Sequence, residues 1–361
     1  MPPVELPHLV GSCTSAPDSP NQRPGGGLSR REILKGGICA AALFTLKLSA
    51  LGCSSSNGSN RAQEGTSRVG YTLSGRPLVE LQSDARIPII WVEAGVCTGC
   101  AISLLGSVDP GIESVVPLLR LEFQETLMDG SGAMTADRLL EASTELSGKF
   151  VLIVEGSVSF DEKADVTVLG ATSTGFELNA QELIDQLAQR ALAIVALGTC
   201  SSFGGIPSAA PNPGGHASIA RLVPSGKPFV RLPGCPPNPA WIIETLGVVM
   251  TQGPGALSLD ELGRPTSAYG RYIHDICPRR SQYDAGNYAN APGDPTRCLV
   301  TVGCKGPSTH ADCPQRLWNG RSTCINANHP CVGCASPGFP DARTDAGAEG
   351  QIAASPFYLD P

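Results

Sequence analysis

The stretch Ile87-Pro88-Ile89-Ile90-Trp91-Val92-Glu93-Ala94-Gly95-Val96-Cys97-Thr98-Gly99-Cys100 decides the reading of this chain. A short apolar run, residues 87–92, ends in glycine and leads straight into a CxxC pair. Similar runs recur at residues 119–123, 151–155, 193–197 and 229–232. Each reads as a strand, because it is short, mostly apolar and bounded by turn residues. Between them lie amphipathic stretches with helical spacing, such as 135–146 and 180–189. Asn179 with Glu182 three residues later forms a helix-start pair. Pro236-Pro237-Asn238-Pro239 before residues 240–250 fits a helix entry. Alternating β and α segments predict a parallel sheet covered on both faces, an α/β doubly wound domain of the flavodoxin-like type over residues 86–250.

Three cysteine positions fall just past predicted strand ends: Cys97 and Cys100, then Cys200 in Gly198-Thr199-Cys200, then Cys235 in Pro233-Gly234-Cys235-Pro236. The carboxyl edge is where open α/β sheets bind ligands. A lone CxxC is weak evidence, since it also serves redox dithiols and zinc pairs. Four thiols converging on one edge suit a [4Fe-4S] cube or an all-cysteine zinc site. The flanking glycines allow close backbone approach and aim N–H groups at sulfur.

The chain has 361 residues and 14 cysteines, with 42 Gly and 31 Pro, a fifth of the total, so much of it is turn and loop. A formal charge of -7 without a basic run excludes a nucleic-acid phosphate grip. With 41% apolar residues the chain can build a sizeable core and is not wholly disordered. From about residue 255 apolar periodicity fades while Gly, Pro, Asn and Cys accumulate. Residues 251–340 therefore read as a second, loop-rich domain, with metal ligation supplying folding energy that burial lacks. Its soft donors are His274 and Cys277 (an HxxC pair), Cys298, Cys304, Cys313, Cys324, and the CxxC pair Cys331 and Cys334. With the four strand-end cysteines they make three sets of four. Zinc suits any one set by ligand type, but a thiol array without a leftover cysteine fits an electron relay better.

Residues 1–52 carry Ser29-Arg30-Arg31-Glu32-Ile33-Leu34-Lys35 before a short apolar run interrupted by Lys47. This resembles a twin-arginine export signal and is too short to span a bilayer. Ala50-Leu51-Gly52-Cys53 resembles a lipobox, although Leu51 fits it poorly. A lipidated Cys53 would hold the protein on a membrane surface. Residues 53–85 read as a linker and 341–361 as a tail. No GxxxxGK[ST] phosphate loop is present.

The motifs together resemble the small, electron-transfer subunit of [NiFe] hydrogenases. The match runs from about Ile87 to Pro340. It rests on Cys97-Thr98-Gly99-Cys100, Glu125-Thr126-Leu127-Met128, Val154-Glu155-Gly156-Ser157, Gly198-Thr199-Cys200-Ser201, Pro233-Gly234-Cys235-Pro236, Ile273-His274-Asp275-Ile276-Cys277-Pro278-Arg279-Arg280, Val302-Gly303-Cys304-Lys305-Gly306-Pro307 and His329-Pro330-Cys331-Val332-Gly333-Cys334.

The resemblance implies reversible H2 oxidation at a Ni-Fe site in a large partner subunit, with no catalytic residue in this chain. It implies a proximal [4Fe-4S] cluster on Cys97, Cys100, Cys200 and Cys235. A distal [4Fe-4S] cluster is implied on His274, Cys277, Cys298 and Cys304, and a medial cluster on Cys313, Cys331 and Cys334. Many relatives have Pro where this chain has Cys324, with a [3Fe-4S] medial cluster. Cys324 implies a fourth ligand and a medial [4Fe-4S], similar to nickel-iron-selenium relatives. Gly99 and Gly205 stand where oxygen-tolerant relatives carry extra cysteines, which implies a standard proximal cube. Export by the twin-arginine route to the periplasm follows, with a cytochrome c or similar acceptor, and the chain end lacks the spanning helix of membrane-bound relatives. Asp275, Arg279 and Arg280 read as structural, and His8, His216, His310 and His329 as ordinary residues.

Two rival readings stand beside this one. A relay subunit of another respiratory oxidoreductase would share the strand-end site but lack the HxxC and final CxxC modules. An exported zinc or disulfide protein would leave the strand-end placement unexplained.

Overall fold

The computed structural model describes residues 86–161 and 168–340, with the backbone pairing of Gly70–Tyr71 against Pro77–Leu78. The leader, the lipobox cysteine Cys53, most of the linker and the tail lie outside the described residues.

Five strands form one parallel sheet: β1 (Pro88–Glu93), β2 (Arg120–Gln124), β3 (Val151–Glu155), β4 (Ala193–Leu197) and β5 (Phe229–Leu232). Their order across the sheet is β5-β4-β3-β1-β2. This is the flavodoxin-like order, in which the winding reverses between β1 and β3. Strand positions agree with the sequence reading to within one residue. Within residues 86–340 two antiparallel pairs were not legible: Val168–Ala171 with Glu177–Asn179, and Val158–Ser159 with His216–Ala217. Both are too short to establish an apolar period.

Because side chains alternate along a strand, the central strands divide between two cores. Ile90, Val92, Leu152, Val154, Ile194 and Ala196 face helices α2 (Ala133–Glu145) and α3 (Ala180–Arg190). Asn179 caps α3, its side chain accepting from the Gln181 and Glu182 N–H groups. Ile89, Trp91, Ile153, Val195 and Leu232 face α1 (Gly99–Leu105) and α5 (Pro239–Gln252). A further short helix, α4 (Gly198–Phe203), follows β4 directly.

The second core does not end with the sheet domain. Tyr269, Ile273, Ala311, Ile325, Cys331 and Ala335 belong to the same buried cluster. The loop-rich segment therefore borrows an established apolar face and adds only a small cluster of its own, Ala289, Leu299 and Val302. Polar ties fasten it there. The Trp241 indole N–H donates to Asp312 (2.7 Å), the Asn238 amide to the Leu317 carbonyl (2.8 Å) and the Tyr269 hydroxyl to the Pro233 carbonyl (2.7 Å). Among the described residues no helix is long and apolar enough to cross a membrane.

Candidate metal centres

The first centre grows from the ends of β1, β4 and β5. After β1 the chain turns through Thr98, which holds a left-handed backbone (φ 61) that a β-branched residue rarely adopts. That turn brings Cys97 and Cys100 to the start of α1. After β4, Gly198 (φ +84) turns the chain into α4, which carries Cys200; β5 leads to Cys235. The four thiols lie near one another, and their neighbours' charges add to burial in disfavouring ionisation of Cys100, Cys200 and Cys235. Cys97 and Cys100 both neighbour Cys200 and Cys235 electrostatically. Burial pushes the Cys200 and Cys235 thiols up to about 11, and that of Cys100 well above its ordinary value.

Space is reserved around these sulfurs. A Cβ on Gly198 would stand 2.5 Å from Cys100 Sγ, and one on Gly205 2.8 Å from Cys200 Sγ. Glu155, at the end of β3 beside the reversal of winding, is fully buried. Its carboxylate accepts from the Cys100 N–H (2.8 Å) and the Ala101 N–H (3.1 Å), closing the open start of α1. Burial raises its pKa to about 7 against those donors.

The second centre is a cavity whose lining includes His274, Cys277, Cys298 and Cys304. Burial and then the Arg280 charge lower the His274 pKa, which favours the neutral, ligand-competent imidazole. The His274 ring meets Tyr283 edge-on at 4.4 Å. Arg279 is buried and donates to the Asp294, Arg297 and Ile325 carbonyls and to Asn328 Oδ1, tying the loops around this cavity. Its role is structural. Arg280 instead pairs with Asp275 and Asp284 at the surface.

The third set is Cys313, Cys324, Cys331 and Cys334. Cys313 is influenced by both Cys324 and Cys334, Cys331 by Cys313 and Cys334, and Cys334 by Cys324. Burial raises all four thiols. Cys324 is the exposed member of the set.

The eleven described cysteines are free thiols. Burial makes most of them, such as Cys100, Cys200, Cys235, Cys313, Cys331 and Cys334, resist ionisation as bare side chains, and bound iron would reverse that balance, since a coordinating thiol is deprotonated outright. Among the described residues no three His, Cys, Asp or Glu side chains close around one point as ligands of a single ion do. The wider spread and the glycine cradles fit an iron–sulfur cluster, whose thiolates sit on separate iron corners. Sequence reasoning missed a role for Glu155 and Thr199. A glutamate ending an otherwise apolar strand was the available signal for the first.

A second carboxyl group stands beside this edge. Glu125 accepts from the Glu93 N–H (3.0 Å), and burial, then the neighbouring Glu93 and Glu155 charges, raise its pKa to about 7. A raised carboxyl pKa contributes stability below about pH 4.5, which is lost as the pH climbs toward 7. Glu125→Gln keeps an acceptor and removes the charge. It is expected to leave the melting midpoint unchanged at pH 4.5 and raise it at pH 7.5, by up to about 3 kcal/mol in stability. Thermal melts at the two pH values check this.

A flavodoxin-like sheet with cysteines gathered at its carboxyl edge, and a cysteine-rich segment packed on one face, is an arrangement that suits an iron–sulfur electron-transfer protein. Comparison narrows the class. A family profile for the C-terminal part of the NiFe/NiFeSe hydrogenase small subunit matches residues 269–346. A second profile, for the 20 Kd subunit of NADH ubiquinone oxidoreductase, matches residues 97–249. The Periplasmic [NiFeSe] hydrogenase small subunit of Desulfomicrobium baculatum is 37% identical, covering 76% of this chain and 87% of its own length. The Hydrogenase-2 small chain of Escherichia coli (strain K12) is 33% identical, over 87% of this chain and 78% of that one. The solved reduced, active Ni-Fe-Se hydrogenase from Desulfomicrobium baculatum aligns with a TM-score of 0.66 at 38% identity, covering 71% of this chain and 96% of that one. The actinobacterial-type NiFe-hydrogenase from Ralstonia eutropha H16 aligns with a TM-score of 0.66 at 30% identity, covering 76% and 86%.

This chain belongs to the [NiFe] hydrogenase small-subunit family. It is the electron-transfer, iron–sulfur partner of a large subunit in which the catalytic site sits. The shared 97–249 profile explains why a respiratory-complex subunit was a reasonable rival, and the 269–346 profile marks the segment that separates the two.

Proposed function

We propose that this chain conducts electrons from H2 through three [4Fe-4S] clusters to an external carrier. The proximal ligands are Cys97, Cys100, Cys200 and Cys235. The medial ligands are Cys313, Cys324, Cys331 and Cys334, and the distal ligands His274, Cys277, Cys298 and Cys304. The observation that carries this reading is that the HxxC pair and two cysteines more than twenty residues downstream line one cavity. When bound, the clusters supply one-electron redox chemistry. The chain's own residues set the conditions for it. Glu155 and backbone N–H groups orient the sulfurs, apolar burial excludes water, and the neutral His274 imidazole marks the exit. Hydrogen bonds to sulfur and burial are the protein's levers on potential.

The remaining assignments are export by the twin-arginine signal to the periplasm, membrane attachment through lipidated Cys53, and a cytochrome c or similar acceptor. The leader motif, the Ala50-Leu51-Gly52-Cys53 sequence and the periplasmic relative support them.

Iron, sulfide and zinc analysis with EPR of the complex tests the relay. About twelve irons per chain, without an oxidised three-iron signal, is the expected result. Cys324→Ser is expected to give about eleven irons and that signal, if serine does not replace the thiolate. Zinc in place of iron overturns the reading. About eleven irons in the unaltered protein returns Cys324 to a bystander thiol.

A further inference from the structure

We propose that Thr199 is a positioning residue for electron transfer: its buried hydroxyl clamps the Cys235 loop to the Cys334 loop, fixing the junction between the proximal and medial sites. The inference rests on the ligand assignment proposed above.

Thr199 is 1% exposed and precedes Cys200. Its N–H donates to the Gly234 carbonyl (3.0 Å), and the Gly234 N–H donates back to Thr199 Oγ1 (2.8 Å). These two bonds join the loops after β4 and β5. The hydroxyl proton is then directed at the Cys334 carbonyl, in the loop-rich segment. One side chain thus accepts from the residue before a proximal ligand and donates to a medial ligand.

The next junction repeats the pattern with backbone alone. The Cys331 N–H donates to Cys304 Sγ (3.4 Å), and the Lys305 N–H donates to the Cys331 carbonyl (2.8 Å). At each hand-off a hydrogen bond to a medial cysteine carbonyl closes the link. Only at the first junction is that bond made by a side chain, so only there can substitution remove it. No covalent bond forms or breaks in the step. One electron leaves the proximal site and one arrives at the medial site.

Losing the clamp removes a hydroxyl dipole whose positive end points at the Cys334 loop, and such a dipole favours the more negatively charged reduced state. In the intact heterodimer, Thr199→Val is expected to keep wild-type iron. It is expected to shift the medial reduction equilibrium about tenfold toward the oxidised form, a 59 mV lower midpoint for a one-electron couple. Thr199→Ser is expected to restore the wild-type midpoint. EPR-monitored redox titration reads this directly. An unchanged midpoint in Thr199→Val at full iron overturns the clamp. Should the valine variant lose medial iron, Thr199→Ala separates hydroxyl from shape. Loss in Val and Ala with retention in Ser supports the clamp, and loss in all three overturns it. Cys334→Ser is the control on the ligand assignment. If it leaves iron and spectra unchanged, the assignment fails and the clamp with it; if it perturbs the medial signal while Thr199→Val is silent, the clamp alone fails.

Discussion

Gly198→Ala is expected to strip the proximal site of about four irons while leaving the remaining clusters in place. Gly198 takes φ +84, where an alanine pays roughly 1–2 kcal/mol that glycine does not. Strain of that size alone would be survivable for a domain of ordinary stability. The decisive term is steric. The new methyl would lie 2.5 Å from Cys100 Sγ, a separation that real Cβ contacts do not show. Cys100 sits on α1 with its backbone N–H bonded to Glu155, so the sulfur can retreat only by turning about the Cα–Cβ bond, which aims it away from the other three thiols. A ligand displaced by an ångström or so is lost to the cluster. H2-driven dye reduction by the complex should fall at least 100-fold, beyond the usual cost of disturbing an outer-shell group. Iron content with activity measures both halves. Full iron and normal activity in the alanine variant would exclude Cys100 as a proximal ligand.

Glu155→Ala is expected to destabilise the chain by about 2–6 kcal/mol, since it leaves two buried N–H groups without an acceptor at roughly 1–3 kcal/mol each. Set against a total of about 5–15 kcal/mol, that is enough to lower the yield of soluble complex. Glu155→Gln retains one carboxamide oxygen and should recover part of the loss. Chemical denaturation of the three proteins orders them as wild type, Gln, Ala. Equal midpoints for Ala and wild type would show that water reaches those N–H groups and that the cap is dispensable.

Most of the sheet was legible because each central strand is buried on both faces. Continuous apolar runs such as Val151–Glu155 and Ala193–Leu197 leave little room for another reading, and their glycine and cysteine endings mark the carboxyl edge. The two short antiparallel pairs were not legible, since two to four residues carry no period. The loop-rich segment gave no sign of where it would pack. Its contact with the sheet runs through scattered residues such as Tyr269, Ile325 and Ala335, which have meaning only once α5 and the sheet present a face to receive them.

The amino-acid sequence by itself determined the order of strands and helices, the identity of every candidate sulfur and imidazole donor, and the family to which they point. These depend on local pattern and on motif spacing, which survive without coordinates. Only the tertiary structure decided that Glu155 closes the start of α1, that Gly198 and Gly205 keep space for sulfur, and that Thr199 reaches the carbonyl of Cys334, 135 residues further along the chain. Those facts are distances between residues remote in the chain, and hydrogen bonds and steric limits act through distance, not through sequence separation.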